Sequence, residues 1–495
     1  MSKKLPIFYN ALLLTGVNLL LRLVSTGFQV YLSGKIGAAG IGLLQLILSV
    51  GGMALTAGMA GIRTATMYIT AEELGKRRPE NVRWALSGCM KYSLSCSVAV
   101  AMLLYVIAPV VAREWIGNPD VVGVVRLFSF FLPVNCLTGV MVGYFTAANR
   151  ISTLSAVEVV EQVCSIGFTI SLLHFWAGDN LVRACAAVVL GSGFSACFTF
   201  VCLLYLRKKE YAPSGTPISV RRRLYETAVP LALADDLKAG ISTTENLMVP
   251  KRLALCQKIG NPLAAFGMVC GMVFPILMFP MAILYGLAEL LIPEFARCAA
   301  AGSNVRIRYL AKRSLRLAML YGCFFCGLLF LLGDELCIWL YDNRDAGIYL
   351  KWFALLAPIL YCDAITDAMI KGLGQQTACV RYNILTSGLD VLFLFLLLPT
   401  YGMEGYFFSF LVTHLLNFAL SVRRLFKLTG KIIPLSTVIL TLLATIGAII
   451  MSGFVNTPSL RAGSYVVLLS SILYLFQVIG REDMRWIKGL VRRNK

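Results

Sequence analysis

The chain has 495 residues, of which 58% are hydrophobic and only 14% charged, and its mean hydropathy is +0.77. Ordinary soluble domains carry about 25% charged residues, so the charges here are too few to cover several soluble domains; a soluble enzyme, a disordered chain and a secreted disulfide scaffold are excluded, and a polytopic membrane protein remains. The net charge of +20, from 45 Lys+Arg against 25 Asp+Glu, fits either nucleic-acid binding or membrane topology, and the placement of the cations decides between them.

A membrane-crossing helix needs about 20 mostly apolar residues. In chain order, about fourteen such runs fall near 7–32, 41–69, 85–112, 121–147, 152–176, 183–206, 225–249, 262–292, 313–333, 347–370, 378–399, 404–422, 433–454 and 463–480. Tight joins fall at 33–40 and 148–151. With that count both termini lie on one side. About 31 of the 45 cations fall on that side, among them Lys3, Lys4, Lys76, Arg77, Arg78, the Arg221–Arg223 run and the basic tail. By the positive-inside rule the termini are cytoplasmic, and the acidic loop 334–345 lies outside. The charge excess is thus a topology signal, and no nucleic-acid partner is expected. The first apolar run is too long for a signal-peptide core and reads as an uncleaved helix. The fifteen cysteines lie largely within spans. Cys323 and Cys326 sit inside the ninth helix, where a buried hydrophobic role suits them better than a redox or metal role.

The two halves partly align at a shift of about 223–225 positions. Asn81-Val82-Arg83 corresponds to Asn304-Val305-Arg306. Arg126-Leu127-Phe128 with Pro133 corresponds to Lys351-Trp352-Phe353 with Pro358. Both prolines are placed inside helices, where they would kink the chain. The repeating unit is six helices. It predicts an N-lobe over 1–206, a basic cytoplasmic linker over 207–224, a C-lobe over 225–432, and two added helices with a basic tail over 433–495. Parallel repeats around a central cavity are a transporter plan in which substrate sits near the midplane and access alternates by rocking of one lobe against the other.

Ionisable residues within spans are site hypotheses by default. Five cations fall there: Arg22, Arg63, Lys91, Arg126 and Lys238. Lys91 and Arg126 lie near helix ends and are expected to snorkel. Arg22 lies well inside the first helix, and Arg63 follows a glycine-rich stretch in the second. The seventh helix holds Asp235, Asp236, Lys238 and Glu245. Asp235 and Lys238 are spaced to pair, and Lys238, Ser242 and Glu245 form a polar stripe suited to a wet cavity or to a structural network between helices. At the repeat offset Arg22 falls opposite Glu245. Glu158 and Glu161 in the fifth helix, and Asp363 and Asp367 in the tenth, are candidates for binding protons or sodium. Arginine recognises phosphate and diphosphate well, so Arg22 and Arg63 favour an anionic substrate. No nucleotide-binding loop is present, and no extracytoplasmic loop is long enough for a transferase site, so no catalytic residue, metal or cofactor is assigned.

The join Gly37-Ala38-Ala39-Gly40-Ile41-Gly42-Leu43-Leu44-Gln45, followed by Ala60-Gly61-Ile62 and the basic loop at 72–83, resembles the polysaccharide-exporter branch of the multidrug/oligosaccharidyl-lipid/polysaccharide flippase superfamily. Within that branch the chain is most similar to sporulation-associated members. The resemblance covers essentially the whole chain. It implies an all-α, two-lobed fold with two added helices, like that of the multidrug exporters. It also implies a flippase for a lipid-linked oligosaccharide or a lipid II-type peptidoglycan precursor, in the bacterial cytoplasmic membrane, with a setting in spore cortex formation and cell-wall synthesis enzymes as partners. Transport would be coupled to H+, Na+ or the membrane potential. The related lipid II flippases keep arginines in helices 1, 2 and 8; Arg22 and Arg63 match the first two. The eighth span has no Arg or Lys, so Lys238 stands as the substitute, with Asp235, Asp236 and Glu245 as balancing acids. The alternatives are a cation-coupled multidrug exporter and, from another class, a membrane-bound cell-wall transferase or scaffold.

Overall fold

A computed structural model describes residues 5–75, 79–178, 180–208, 221–430 and 434–476. Lys3, Lys4, Lys76, Arg77 and Arg78, most of the 207–224 linker and the basic tail lie outside the described residues. In lipid every backbone N–H and C=O must be satisfied within the protein, which favours helices wherever apolar runs are long. The described elements are all helical. They are α1 (Leu5–Met59), α2 (Ile62–Gly75), α3 (Pro79–Val110), α4 (Val122–Ala147), α5 (Ile151–Leu172), α6 (Leu181–Lys208), α7 (Arg221–Leu253), α8 (Pro262–Met268), α9 (Phe274–Met278), α10 (Met281–Ala300), α11 (Asn304–Leu331), α12 (Gly333–Tyr341), α13 (Arg344–Ala354), α14 (Ala357–Gly372), α15 (Gln376–Tyr401), α16 (Met403–Thr429), α17 (Leu435–Gly453) and α18 (Pro458–Leu475).

Among the described residues, nine helical stretches are long and apolar enough to cross a membrane, or eleven if two pairs, bent by 59° and 53°, each count as one span. The chain is therefore a multi-pass membrane protein. The expected fourteen exceeds this count in three places. The first two predicted spans merge into one stretch, Leu19–Leu74. Helix α7 dilutes its apolar residues with Asp235, Asp236, Lys238 and Glu245. Helix α18 has only 18 residues and carries Arg461 in its first turns.

The chain divides into two compact units, Met1–Gly267 and Met268–Lys495. The repeat places its boundary in the basic linker, before α7; the contacts place α7 with the first unit. The reasons are local. Thr243 Oγ1 donates to the Ser49 carbonyl at 3.1 Å and Asn246 Nδ2 donates to Ser49 Oγ at 3.0 Å. At the other end, Arg223 Nη1 donates to Glu73 Oε1 at 2.9 Å and also pairs with Glu72. Lys251 Nζ meets the Glu114 carbonyl.

The glycine-rich join has a physical role in this unit. Gly37 adopts φ 68°, and α1 bends there. Beyond the bend Gly42 lies against the Leu263 backbone: a Cβ at Gly42 would stand 2.3 Å from the Leu263 carbonyl oxygen. A Cβ at Gly267 would stand 1.9 Å from the Ala38 carbonyl oxygen. Small residues let helices approach closely where lipid offers no hydrophobic driving force. A packed cluster including Ile62, Leu86, Tyr144, Leu203 and Leu224 joins α2, α3, α4, α6 and α7.

In the second unit Asn304-Val305-Arg306 opens α11, just as Asn81-Val82-Arg83 lies at the start of α3. The matched prolines behave differently. Pro133 lies inside the continuous α4. Pro358 lies in the first turn of α14, after a 53° bend from α13. A first-turn proline needs no N–H partner, so the chain breaks before it rather than kinking at it. The loop expected at 334–345 is largely α12. Its acids are paired: Lys351 Nζ with Asp334 Oδ2 at 2.5 Å, and Arg461 Nη1 with Glu335 Oε1 at 2.9 Å.

The two C-terminal helices pack on α11 through Ala444, Ala448, Leu469 and Leu473. Tyr465 Oη donates to the Cys323 carbonyl at 2.9 Å. Arg461 also donates to the carbonyls of Val455 (2.9 Å), Leu331 (3.1 Å) and Asn456 (3.3 Å). One guanidinium thus ties the α17–α18 turn to the end of α11. Arg461→Ala is expected to lower stability by about 2–3 kcal/mol, the scale of a bond to a charged donor plus orphaned acceptors. Faster proteolysis within 454–460 than in the wild type would report it, and an unchanged digestion rate would contradict it.

Candidate functional site

Helix α5 builds the polar centre of the first unit. Glu158, Glu161 and Gln162 stand at i, i+3 and i+4 and share one face. With Ser165, Ser195 of α6 and Leu21 of α1 they line a cavity of about 360 Å³. Gln162 Nε2 donates to Ser25 Oγ at 3.2 Å, which ties α5 to α1. Arg22 is half-buried, adjoins the cavity-lining Leu21, and stands three residues before Ser25 on the same helix. Arg63, on the first turn of α2, is exposed and close enough to act electrostatically on Glu158. Arg22 thus lies on α1, which packs against α5, and Arg63 is near enough to Glu158 to act on it; all four residues belong to one unit. The arrangement holds charged and polar groups beside a cavity large enough for several waters, in an otherwise apolar bundle.

Helix α7 is divided in use. Asp235 and Lys238 are both exposed and form no ion pair with each other, although their spacing allows one. Exposed pairs gain little from closing and lose side-chain freedom. Asp236 is half-buried, with a buried Oδ1 that lacks a hydrogen-bond partner. Glu245 is half-buried, between Thr243 and Asn246, which hold α7 against Ser49. Thr243 and Asn246, which flank Glu245 of the predicted polar stripe, thus form a structural seam. At the start of α7, beside Arg223, Asn81 Nδ2 donates to Glu73 Oε2 at 3.1 Å. The hydrogen bond from Arg223 to the buried Glu73 raises the arginine above its usual pKa.

The remaining intramembrane cations have local explanations. Arg126 lies over the Tyr105 ring, 4.8 Å from its centroid. Lys91 is exposed.

The second unit holds Asp363 and Asp367 on α14. Asn417 Nδ2 donates to Asp363 Oδ2 at 2.8 Å, and Ser421 Oγ donates to Asp367 Oδ1 at 3.3 Å. Lys371 Nζ lies 3.9 Å from Asp367 Oδ2. A third acid, Asp390 on α15, is buried and was not anticipated from the sequence. It is 8% exposed, and its Oδ1 accepts from Ser409 Oγ at 2.6 Å and Thr413 Oγ1 at 3.2 Å. The signal that finds it is on the partner helix. Ser409, Thr413, Asn417 and Ser421 recur every four residues of α16, a polar line in an apolar run.

The comparisons with known proteins agree with this architecture. Residues 7–231 match the family described as polysaccharide biosynthesis protein. The chain is 20% identical to stage V sporulation protein B of Bacillus subtilis (strain 168), over 97% of each protein. Among solved structures it resembles the lipid II flippase MurJ in an inward closed conformation, with a TM-score of 0.70 and 10% identity over 94% of this chain and 98% of that one. It also resembles an inward-facing multidrug resistance MATE family transporter of the MOP superfamily, with a TM-score of 0.65 and 15% identity over 84% of this chain and 99% of that one. The fold is that of these transporters, and the resemblance read from the glycine-rich join extends over the whole chain.

Proposed function

We propose that the protein is a flippase, not an enzyme, that moves a lipid-linked oligosaccharide or lipid II-type peptidoglycan precursor across the bacterial cytoplasmic membrane by alternating access. The observation that carries this reading is the charged cavity of the first unit. There Glu158 and Glu161 line a space bordered by Leu21, with Arg22 on the adjoining turn and Arg63 acting on Glu158. Similarity to stage V sporulation protein B along the whole chain, and the shared fold with a lipid II flippase, support a lipid-linked sugar as cargo. In this reading Arg22 and Arg63, assisted by Lys238, contact the diphosphate. Asp235, Asp236 and Glu245 balance that charge. Glu158, Glu161, Asp363 and Asp367 carry the coupling H+ or Na+, or respond to the membrane potential. Both termini face the cytoplasm, where the cation excess lies. Spore cortex formation and cell-wall synthesis enzymes are the proposed setting and partners.

A second reading, a cation-coupled multidrug exporter, is favoured by one observation: the titratable side chains that line the cavity are two glutamates and no cation. Competition separates the two. Purified protein in lipid nanodiscs is expected to bind a fluorescent undecaprenyl-diphosphate sugar, and unlabelled lipid diphosphate, rather than a cationic dye, is expected to displace it. Displacement by the dye, with no effect of the lipid diphosphate, would favour the exporter.

A further inference from the structure

The polar line of α16 leaves two buried oxygens without a donor. Asn417 is 5% exposed, and its Oδ1 has no hydrogen-bond partner among the described residues. Asp363 Oδ1 is buried and also lacks one. These two oxygens belong to groups already joined on their other arms, since the Asn417 amide donates to Asp363 Oδ2 at 2.8 Å. Turning the amide over gives no relief, because its oxygen would then face a carboxylate oxygen. Buried acceptors in a native protein are nearly always satisfied, so the pair needs one more donor. A hydrogen on Asp363 Oδ1 supplies it. A neutral carboxylic acid and a primary amide are complementary: the amide N–H donates to one acid oxygen while the acid O–H donates to the amide oxygen.

We propose that Asp363 holds a proton in the resting protein, shared with Asn417 as an acid–amide pair in the middle of the polar line of α16. The polar side chains of that line recur at four-residue steps. Asp390, with Ser409 and Thr413, lies at one end; Asp363 with Asn417 is in the middle; Asp367 with Ser421 and Lys371 is at the other. The charged and titratable neighbours of Asp363 are Asp367 and Lys371 on its own helix and the Cys379 thiol on α15, and Cys323 of α11 faces the adjacent Cys362. Helix α10 brings the apolar Ile292 and Phe295 against α14 at Gly372. Lys371 is thus the one cation in this set, and it bonds to Asp367 rather than to Asp363.

This inference rests on the coupling part of the proposed function. Infrared difference spectroscopy of the full-length protein in lipid nanodiscs at neutral pH, in H2O and D2O without sodium, tests it. The wild type is expected to show the carbonyl band of a protonated carboxylic acid that shifts on deuteration. Asp363→Asn is expected to remove that band, and Asn417→Leu to move its frequency. A band that Asp363→Asn leaves in place would overturn the proposal. Absence of the band would also overturn it, and a sodium-induced change that the same variant abolishes would then make the pair a metal-cation site. Because Asn417→Leu keeps the acid, an unmoved band there also overturns the proposal, even if Asp363→Asn fails to fold. The readout does not involve lipid movement, so its failure leaves the flippase reading standing.

Discussion

Gly267→Ala is expected to abolish accumulation of folded protein. A methyl group at this position would lie 1.9 Å from the Ala38 carbonyl oxygen and 2.6 Å from the Gly42 backbone nitrogen. Both obstacles are backbone, so no rotamer change relieves the clash. Overpacking in a tight core costs about 1–3 kcal/mol, and a clash with backbone belongs at or above the top of that range. Native domains are stable by about 5–15 kcal/mol, so the loss takes a large share. The comparison is Gly447→Ala, at a helical position with nothing within 4 Å of the added carbon. There the exchange removes glycine's entropic penalty and is expected to be neutral or stabilising by about 0.5–1 kcal/mol. Thermal unfolding of the two variants in one detergent separates them. Equal midpoints would mean that the approach of α8 to the bend in α1 is not tight.

The second large effect is on transport. Arg22→Ala is expected to lower lipid translocation by about 10- to 100-fold, the loss of one or two charge-assisted hydrogen bonds to a diphosphate, with membrane insertion unchanged. Arg22→Lys keeps the charge but loses the planar donor fork, and is expected to fall between wild type and alanine. Arg63→Ala is expected to act in the same direction and more weakly, because Arg63 is exposed and already interacts with Glu158. Wild-type rates in Arg22→Ala would remove this residue from the substrate path.

What the sequence made legible follows from which physical signals are one-dimensional. Apolar run length marked most spans, and the G-x-x-G-x-G join marked the place where α1 bends and meets α8. Cation asymmetry and the repeated Asn-Val-Arg triplets are likewise local patterns. The five intramembrane cations were visible because charge is rare there. The packing of α7 was not legible, since it depends on Ser49 and Glu73 reaching residues 150 or more positions away. Nor was the separation of Asp235 from Lys238, because spacing permits an ion pair but solvent decides whether it forms. Asp390 was missed for a different reason. One acid in an apolar helix gives no periodic signal of its own, and its partners form a regular line only when α16 is read at four-residue steps. The acidic stretch at 334–345 was read as a loop because charge density outweighed the helical pattern of Leu336, Cys337 and Leu340.

The most direct measurement is translocation of fluorescently labelled lipid II by the purified wild-type protein in proteoliposomes, with Arg22→Ala as the matched control. The account predicts that labelled headgroups appear in the opposite leaflet with wild-type protein at a rate well above that of protein-free vesicles, and that the control is slower by at least an order of magnitude. Folded wild-type protein that moves no lipid-linked sugar diphosphate, but expels a cationic dye from the same vesicles, would contradict it.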